Sequence, residues 1–94
     1  MTINDVRKEI ERVDHEIVRL VARRQELIGK IAKIKSSKGL PIHDEHRTQK
    51  VLEAVFNHAV ECKIDPVSVQ KIFETLISMS EDRQRGCSGE GNLP

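Results

Sequence analysis

An uninterrupted apolar repeat in the first third of the chain constrains the fold more than any other sequence feature. Between residues 2 and 37, apolar side chains recur at alternating steps of three and four, with no proline among them. Such spacing is typical of one long α-helix with a single apolar seam. The seam positions are Ile3, Val6, Ile10, Val13, Ile17, Leu20, Arg24, Leu27, Ile31 and Ile34. One of them is a cation, Arg24, and a buried cation is costly unless an anion meets it.

The length of this helix limits how its seam can be buried. The chain has 94 residues, and a compact globule of that size has a radius of gyration of roughly 12 Å. A helix over residues 2–37 would be about 50 Å long. A compact monomer of this size cannot cover such a seam. Two arrangements could bury it, a long helical hairpin or an intertwined oligomer. We predict an all-α fold of three helices per subunit, with a very long first helix, in an intertwined helical-bundle homodimer.

Capping signals divide the rest of the chain. Thr2, with Asp5 three residues later, predicts the start of the first helix, and Gly39 its end. Asp44 is the expected N-cap of a second helix, which fades near residues 62–63. Asp65 followed by Pro66 predicts the start of a third. Residues 1–85 are therefore predicted to form the helical domain and residues 86–94, which lack apolar spacing, a disordered tail.

Composition excludes several classes of function. A formal net charge of +1 argues against a nucleic-acid-binding protein, and with two Phe and neither Trp nor Tyr the chain lacks base-stacking platforms. No apolar run approaches the roughly 20 residues that cross a membrane, and the first residues do not resemble a signal peptide. Cys62 and Cys87 lack metal-ligand spacing, and His43 and His46 have no third ligand in view. We therefore expect a cytoplasmic protein without a metal or cofactor.

Polar residues occupy helix faces whose other residues are apolar and spaced like those of a buried core. Lys35 lies eleven residues after Arg24, at nearly the same azimuth and about 16 Å further along the helix. In the third helix, Ser80 and Gln84 continue the apolar face of Phe73 and Ile77. Two long cations at this separation suit a compact ligand with two anionic groups.

The second helix shows the same change at its start. Thr48 begins the stripe that continues to Val51 and Leu52, and Asp44 and Arg47 lie one turn away.

Each of these residues also has an ordinary structural explanation. Arg24 can be a registry residue paired with a carboxylate of a partner helix. Lys35 can complement the helix dipole, and Asp44 caps its helix in any case. Ser80 and Gln84 can mark fraying of the last helix towards solvent. These alternatives remain open on the pattern alone.

Arg7 lies too far from Arg24 to join the same cluster on its own helix. It precedes Arg24 by seventeen residues, which is about 25 Å along the axis with a rotation of roughly 100°. In an antiparallel dimer it could reach the cluster of the other subunit.

Taken in order, these segments resemble the all-helical class of chorismate mutases, small intertwined homodimers of three helices per subunit. The resemblance covers residues 3–85 and rests on the order and spacing of several motifs. These are VRKEI followed by VD (residues 6–14), ARRQEL (22–27), IAKIK (31–35), PIHDEHR (41–47) and IFETLISMS (72–80) with Gln84.

The resemblance implies an enzyme that rearranges chorismate to prephenate in phenylalanine and tyrosine biosynthesis. It implies that Arg24 grips one substrate carboxylate and that Arg7 of the other subunit grips a carboxylate too. Lys35 and Gln84 would bind the ether oxygen whose bond breaks.

Further roles are implied for the second helix and for the start of the last polar face. Ser80 and Arg47 would help to fix the dianion, and Asp44 would contact the region of the ring hydroxyl. The family often has Glu where this sequence has Thr48, whose hydroxyl would bind the substrate hydroxyl instead.

Two other functions fit the same sequence. One is an isochorismate-pyruvate lyase on the same fold, which would use the same cationic clamp. The other is a non-enzymatic helical dimerisation module, in which Arg24 is a registry residue.

Overall fold

The computed structural model of the chain describes residues 1–89, and side chains as far as residue 86. This part of the chain contains three helices, α1 (Ile3–Lys38), α2 (Glu45–Glu61) and α3 (Pro66–Gly89), and no strand. The predicted all-α class and the order of the helices are therefore confirmed. None of the described helices is long and apolar enough to cross a membrane.

The ends of α1 follow the capping signals of the sequence. The Thr2 side chain accepts a hydrogen bond from the Asp5 backbone N–H, and the Asp5 carboxylate accepts one from the Thr2 backbone N–H. At the other end, Gly39 adopts a left-handed conformation with φ 67°, which glycine reaches without steric cost. The helix therefore continues about one turn beyond Lys35, the end expected from the apolar pattern.

The later helices also begin where the sequence predicts. The Asp44 side chain accepts a hydrogen bond from the Arg47 backbone N–H at 3.1 Å and caps α2. Asp65 accepts one from the Val67 N–H at 3.3 Å at the start of α3. α3 continues through the predicted boundary at residue 85 to Gly89, and Gly86 is buried. Residues 90–94 lie outside the described residues, so the disordered tail stays a prediction.

α3 is the central helix of the subunit because it packs against both α1 and α2. Among the described residues, α1 and α2 do not pack directly on each other. The buried residues of α1 are Gly29 and Ala32, both in its C-terminal half, and Ala59 is the buried residue of α2. The C-terminal half of α1 therefore packs within the helical bundle, and the N-terminal half of α1 projects from the bundle.

The projecting half of α1 carries an exposed apolar seam. The molecule is 54 Å long in its largest dimension, which agrees with the length expected for α1. The seam side chains from Ile3 to Leu20 are exposed, and Ile10, Val13 and Ile17 each leave more than half of their surface open. A single subunit does not bury the seam, as the length argument requires; the dimer itself stays a prediction.

Candidate functional site

A cavity of about 300 Å³ lies between the three helices and the connection from α1 to α2. Its volume is at the lower end of the range of roughly 300–1,000 Å³ that is typical of small-molecule sites. Its lining residues are Arg24, Ile28, Ile31, Lys35, Ile42, Asp44, Arg47, Thr48, Val51, Ile77, Ser80, Glu81 and Gln84. Seven of the eight site residues named from the sequence are among them, all except Arg7. Their joint location is established; the role of each stays a prediction.

Arg24 is held in the cavity wall by α3. Its guanidinium Nη1 donates to the backbone carbonyl of Leu76 at 3.1 Å and to the Ser80 hydroxyl. Partial burial lowers the pKa of Arg24, and the positive charge of Arg47 lowers it further. Arginine stays protonated at neutral pH despite such a shift, so the cavity holds two positive charges that lie near each other.

Lys35 is fixed at a second point of the cavity wall. Its ammonium Nζ donates to the carbonyl of Ile42 at 2.8 Å, and Ile42 belongs to the connection between α1 and α2. An ammonium group carries three N–H donors. Lys35 can therefore keep this contact and still donate to a ligand in the cavity.

The polar part of α3 that faces the cavity is buried. Ser80 is 5% exposed and Gln84 7% exposed, which rules out the fraying explanation for these two residues. The Ser80 hydroxyl donates back to the Leu76 carbonyl at 2.9 Å. The Gln84 Oε1 atom is buried without a hydrogen-bond partner within the described part of the chain, which is costly for a polar atom. A half-turn of the amide exchanges its oxygen and nitrogen, so Gln84 can offer either group to a ligand.

The start of α2 supplies the opposite wall. Asp44, Arg47 and Thr48 lie there within one turn, and all three line the cavity. The carboxylate of Asp44 accepts a hydrogen bond from the Arg47 backbone N–H. Asp44 therefore both caps α2 and lines the cavity.

Arg7 lies outside this cavity, on the exposed N-terminal half of α1. The position agrees with the sequence argument that Arg7 cannot reach Arg24 of its own chain. Within one subunit it takes no part in the cavity.

The apolar walls of the cavity come from Ile28, Ile31, Val51 and Ile77, in α1, α2 and α3. All but Ile28 lie on the apolar stripes identified in the sequence. A carboxylate, Glu81, also lines the cavity and was not expected from the sequence. The signal for Glu81 was weak, because an acidic residue beside Ser80 on a helix is normally a solvated neighbour.

The arrangement can bind a compact dianion. Arg24, Lys35 and Arg47 supply three positive charges, and Ser80 and Gln84 supply buried hydrogen-bonding groups. Partly buried charges interact more strongly than solvated ones. Arginine forks match carboxylate groups in geometry, which favours carboxylates as the anionic groups. Within the described residues, no group of three or more His, Cys, Asp or Glu side chains is placed to hold a metal ion.

Comparison with known proteins agrees with this geometry. The family model of chorismate mutase type II matches residues 6–85. A chorismate mutase of Methanocaldococcus jannaschii is 31% identical over 81 residues, which cover 86% of this chain and 82% of that protein.

Longer relatives match over a shorter segment. A bifunctional chorismate mutase/prephenate dehydratase of Aquifex aeolicus is 42% identical over 53 residues, 56% of this chain and 15% of the relative. A T-protein of Haemophilus influenzae is 38% identical over 52 residues, 55% of this chain and 14% of the relative. The family model covers most of the chain, and the matched residues include every residue that lines the cavity. The relative from Methanocaldococcus jannaschii matches over a similar length. The chain therefore belongs to the chorismate mutase type II family.

Proposed function

We propose that this chain is a chorismate mutase that rearranges chorismate to prephenate and acts as a homodimer. The observation that carries the proposal is the convergence of Arg24, Lys35 and Arg47 with the buried Gln84 on one cavity. Family membership supports the same activity.

The reaction places simple demands on a protein. It is a unimolecular pericyclic rearrangement, so it requires no nucleophile or general base from the enzyme. Catalysis comes from holding the substrate in its compact reactive conformer. It also comes from hydrogen-bond donors and positive charge that face the ether oxygen, where negative charge develops as the bond breaks. The side chains that line the cavity are of these types.

The positive charges divide into two tasks in this proposal. Arg24 binds one substrate carboxylate through its Nε and Nη2 donors, because Nη1 is engaged by Leu76 and Ser80. Lys35 and Gln84 donate to the ether oxygen. Positive charge that is already fixed before the reaction stabilises the transition state without further reorganisation.

The remaining lining residues hold the rest of the substrate. Arg47 and Ser80 help to fix the dianion. Asp44 contacts the region of the ring hydroxyl, and Thr48 offers a neutral hydroxyl for the same purpose. A hydroxyl is a weaker acceptor than a carboxylate, so we expect Thr48 to contribute modestly.

The second subunit completes the site in this proposal. The exposed seam of α1 between Ile3 and Leu20 provides the apolar surface for dimerisation. Antiparallel pairing of two such helices carries Arg7 of one subunit towards the cavity of the other. There Arg7 binds a substrate carboxylate. It cannot do so in its own subunit, because it lies too far from that cavity.

A direct assay tests the proposed activity. The purified protein is incubated with chorismate, and prephenate formation is followed over time. A second incubation with isochorismate monitors pyruvate release. Prephenate formation without pyruvate release supports the mutase; pyruvate release from isochorismate without prephenate formation from chorismate contradicts it. No turnover of either substrate, in a folded protein, favours the dimerisation module.

A further inference from the structure

Glu81 adds a carboxylate, besides that of the N-cap residue Asp44, to the wall of a cavity that carries three positive charges. Its side chain is 20% exposed, so the carboxylate lies at the edge of the cavity rather than in open solvent. Two cationic side chains engage its two oxygens. His43 Nδ1 lies 2.7 Å from Oε2, and the Arg85 guanidinium lies 3.6 Å from Oε1.

His43 joins three parts of the subunit. It belongs to the connection between α1 and α2, and its second ring nitrogen, Nε2, lies 3.0 Å from the carboxylate of Glu45 in α2. The connection is also tied to α1, because Lys35 donates to the carbonyl of Ile42. Through Glu81, His43 adds a link to α3. The connection forms part of the cavity wall through Ile42 and Asp44.

The two contacts of His43 define its charge. Carboxylate oxygens accept hydrogen bonds, so both ring nitrogens must carry a proton to donate to Glu45 and Glu81 at once. Only the imidazolium form has two N–H groups. The same two carboxylates raise the pKa of His43, with the hydrogen bond to Glu81 as the largest cause.

We propose that protonated His43 is a positioning residue that holds the Glu81 carboxylate at the edge of the cavity and away from Arg24 and Arg47. This inference rests on the proposed function, because the substrate is a dianion. When His43 is neutral or absent, Glu81 keeps its contact with Arg85 through Oε1, but its Oε2 can pair with a cavity arginine and compete with the substrate carboxylates. Substrate binding is weakened and the chemical step is not, because the groups that face the ether oxygen are unchanged.

The direction of the pH effect follows from this pairing. Below the raised pKa of His43, the imidazolium holds Glu81 and the KM for chorismate is low. As pH rises through that pKa, the imidazolium loses a proton and the KM rises. The groups around His43 are Glu45 of α2, Glu81 and Arg85 of α3, and Lys35 of α1 on the neighbouring carbonyl. Of these, Glu81 is the anion that lines the cavity; Asp44, the residue after His43, also lines it, and its carboxylate accepts from the Arg47 backbone N–H.

A double-mutant cycle in KM tests the pairing. At pH 6, His43→Ala should raise the KM about fivefold, the upper end for an exposed ion pair, with kcat within about twofold of the parent. In a Glu81→Gln background the same substitution should change the KM less than about twofold. His43→Arg keeps the charge and should give a low KM that no longer rises with pH. His46→Ala, at an exposed position three residues away, is the matched control and should leave the KM unchanged.

The titration of His43 gives a second readout that is independent of turnover. Its imidazole resonances, followed by NMR, should titrate above the ordinary histidine value of about 6.5 and shift downward in Glu81→Gln. An unchanged midpoint in that variant overturns the inference, as does an equal effect of His43→Ala on KM in both backgrounds. If the parent protein does not convert chorismate, the proposed function fails. The inference about substrate affinity then fails with it, even if the NMR titration shows that His43 and Glu81 are paired. If it converts chorismate but the cycle is additive, the inference alone fails.

Discussion

Replacement of Arg24 by alanine separates the role of this residue in binding from any role in folding. The substitution removes one donor to the Leu76 carbonyl and to the Ser80 hydroxyl. The Leu76 carbonyl keeps the hydrogen bond from the Ser80 hydroxyl at 2.9 Å, but the buried Ser80 oxygen loses the donor that it accepts from. Each net hydrogen bond is worth about 1 kcal/mol, so the two lost bonds cost about 2 kcal/mol, and release of a partly buried charge offsets part of that loss. We expect the free energy of unfolding to fall by about 2 kcal/mol or less.

The expected effect on catalysis is much larger. Hydrogen bonds to charged groups contribute roughly 1.5–3 kcal/mol each, and a fork that binds a carboxylate makes two. A loss of about 3–6 kcal/mol in transition-state binding lowers kcat/KM by a factor of roughly 10² to 10⁴. Arg24→Lys keeps the charge without the fork and should lie between alanine and the parent.

The neighbouring arginine provides a matched control. Arg23→Ala removes the same charge from the same helix at an exposed position, and it should change kcat/KM less than about threefold. The assay is initial-rate kinetics on chorismate, with urea unfolding and light scattering on each variant. If Arg24→Ala retains kcat/KM within tenfold of the parent, the cavity is not the catalytic site. If Arg24→Ala instead alters the oligomeric state, Arg24 is a registry residue of the seam.

Three further predictions concern the dimer and the ring hydroxyl. Mixing Arg7→Ala subunits with Arg24→Ala subunits should restore turnover through heterodimers with one intact site, measured after subunit exchange is verified by mass spectrometry; no recovery excludes a shared site. Thr48→Val removes the hydroxyl but keeps the shape, and it should raise the KM for chorismate by no more than about tenfold; no effect on KM means that Thr48 does not bind substrate. Ile17→Asp puts a charge on the exposed seam and should give monomers in light scattering, whereas Arg12→Asp beside the seam should leave the dimer intact; a dimeric Ile17→Asp protein would show that the seam is not the interface.

Much of the fold was predictable because its signals are local. The seam, the Thr2 cap, the Asp44 cap and the Asp65–Pro66 start each act within a few residues, and each occurs where the sequence placed it. The end of α3 was predicted less well. Gly86 is a poor helix former in isolation, but it is buried within a helix that continues to Gly89, so packing outweighs the local preference there.

The site divides in a similar way. Arg24, Ser80 and Gln84 could be identified from the sequence because they are polar residues at positions of an apolar stripe, where an apolar side chain is expected. Glu81 and His43 lie beside such stripes and break no pattern. Their contact at 2.7 Å joins residues 38 positions apart, and it follows only from the way the connection between α1 and α2 lies against α3. A long-range pair between a connection and a helix leaves no periodic trace in a sequence.

The way in which the cations are held links the fold to the proposed chemistry. Arg24 of α1 is secured by a backbone carbonyl of α3, and Lys35 of the same helix by a backbone carbonyl of the connection to α2. Backbone carbonyls move only with their elements, so the positions of both charges follow from the packing of α3 and of the connection against α1; the Ser80 hydroxyl is a further partner of Arg24. A rearrangement that is accelerated by fixed charge benefits from this rigidity, because no reorganisation is needed as negative charge develops. The central place of α3, which contacts both other helices and carries Ser80 and Gln84, therefore serves packing and preorganisation at once.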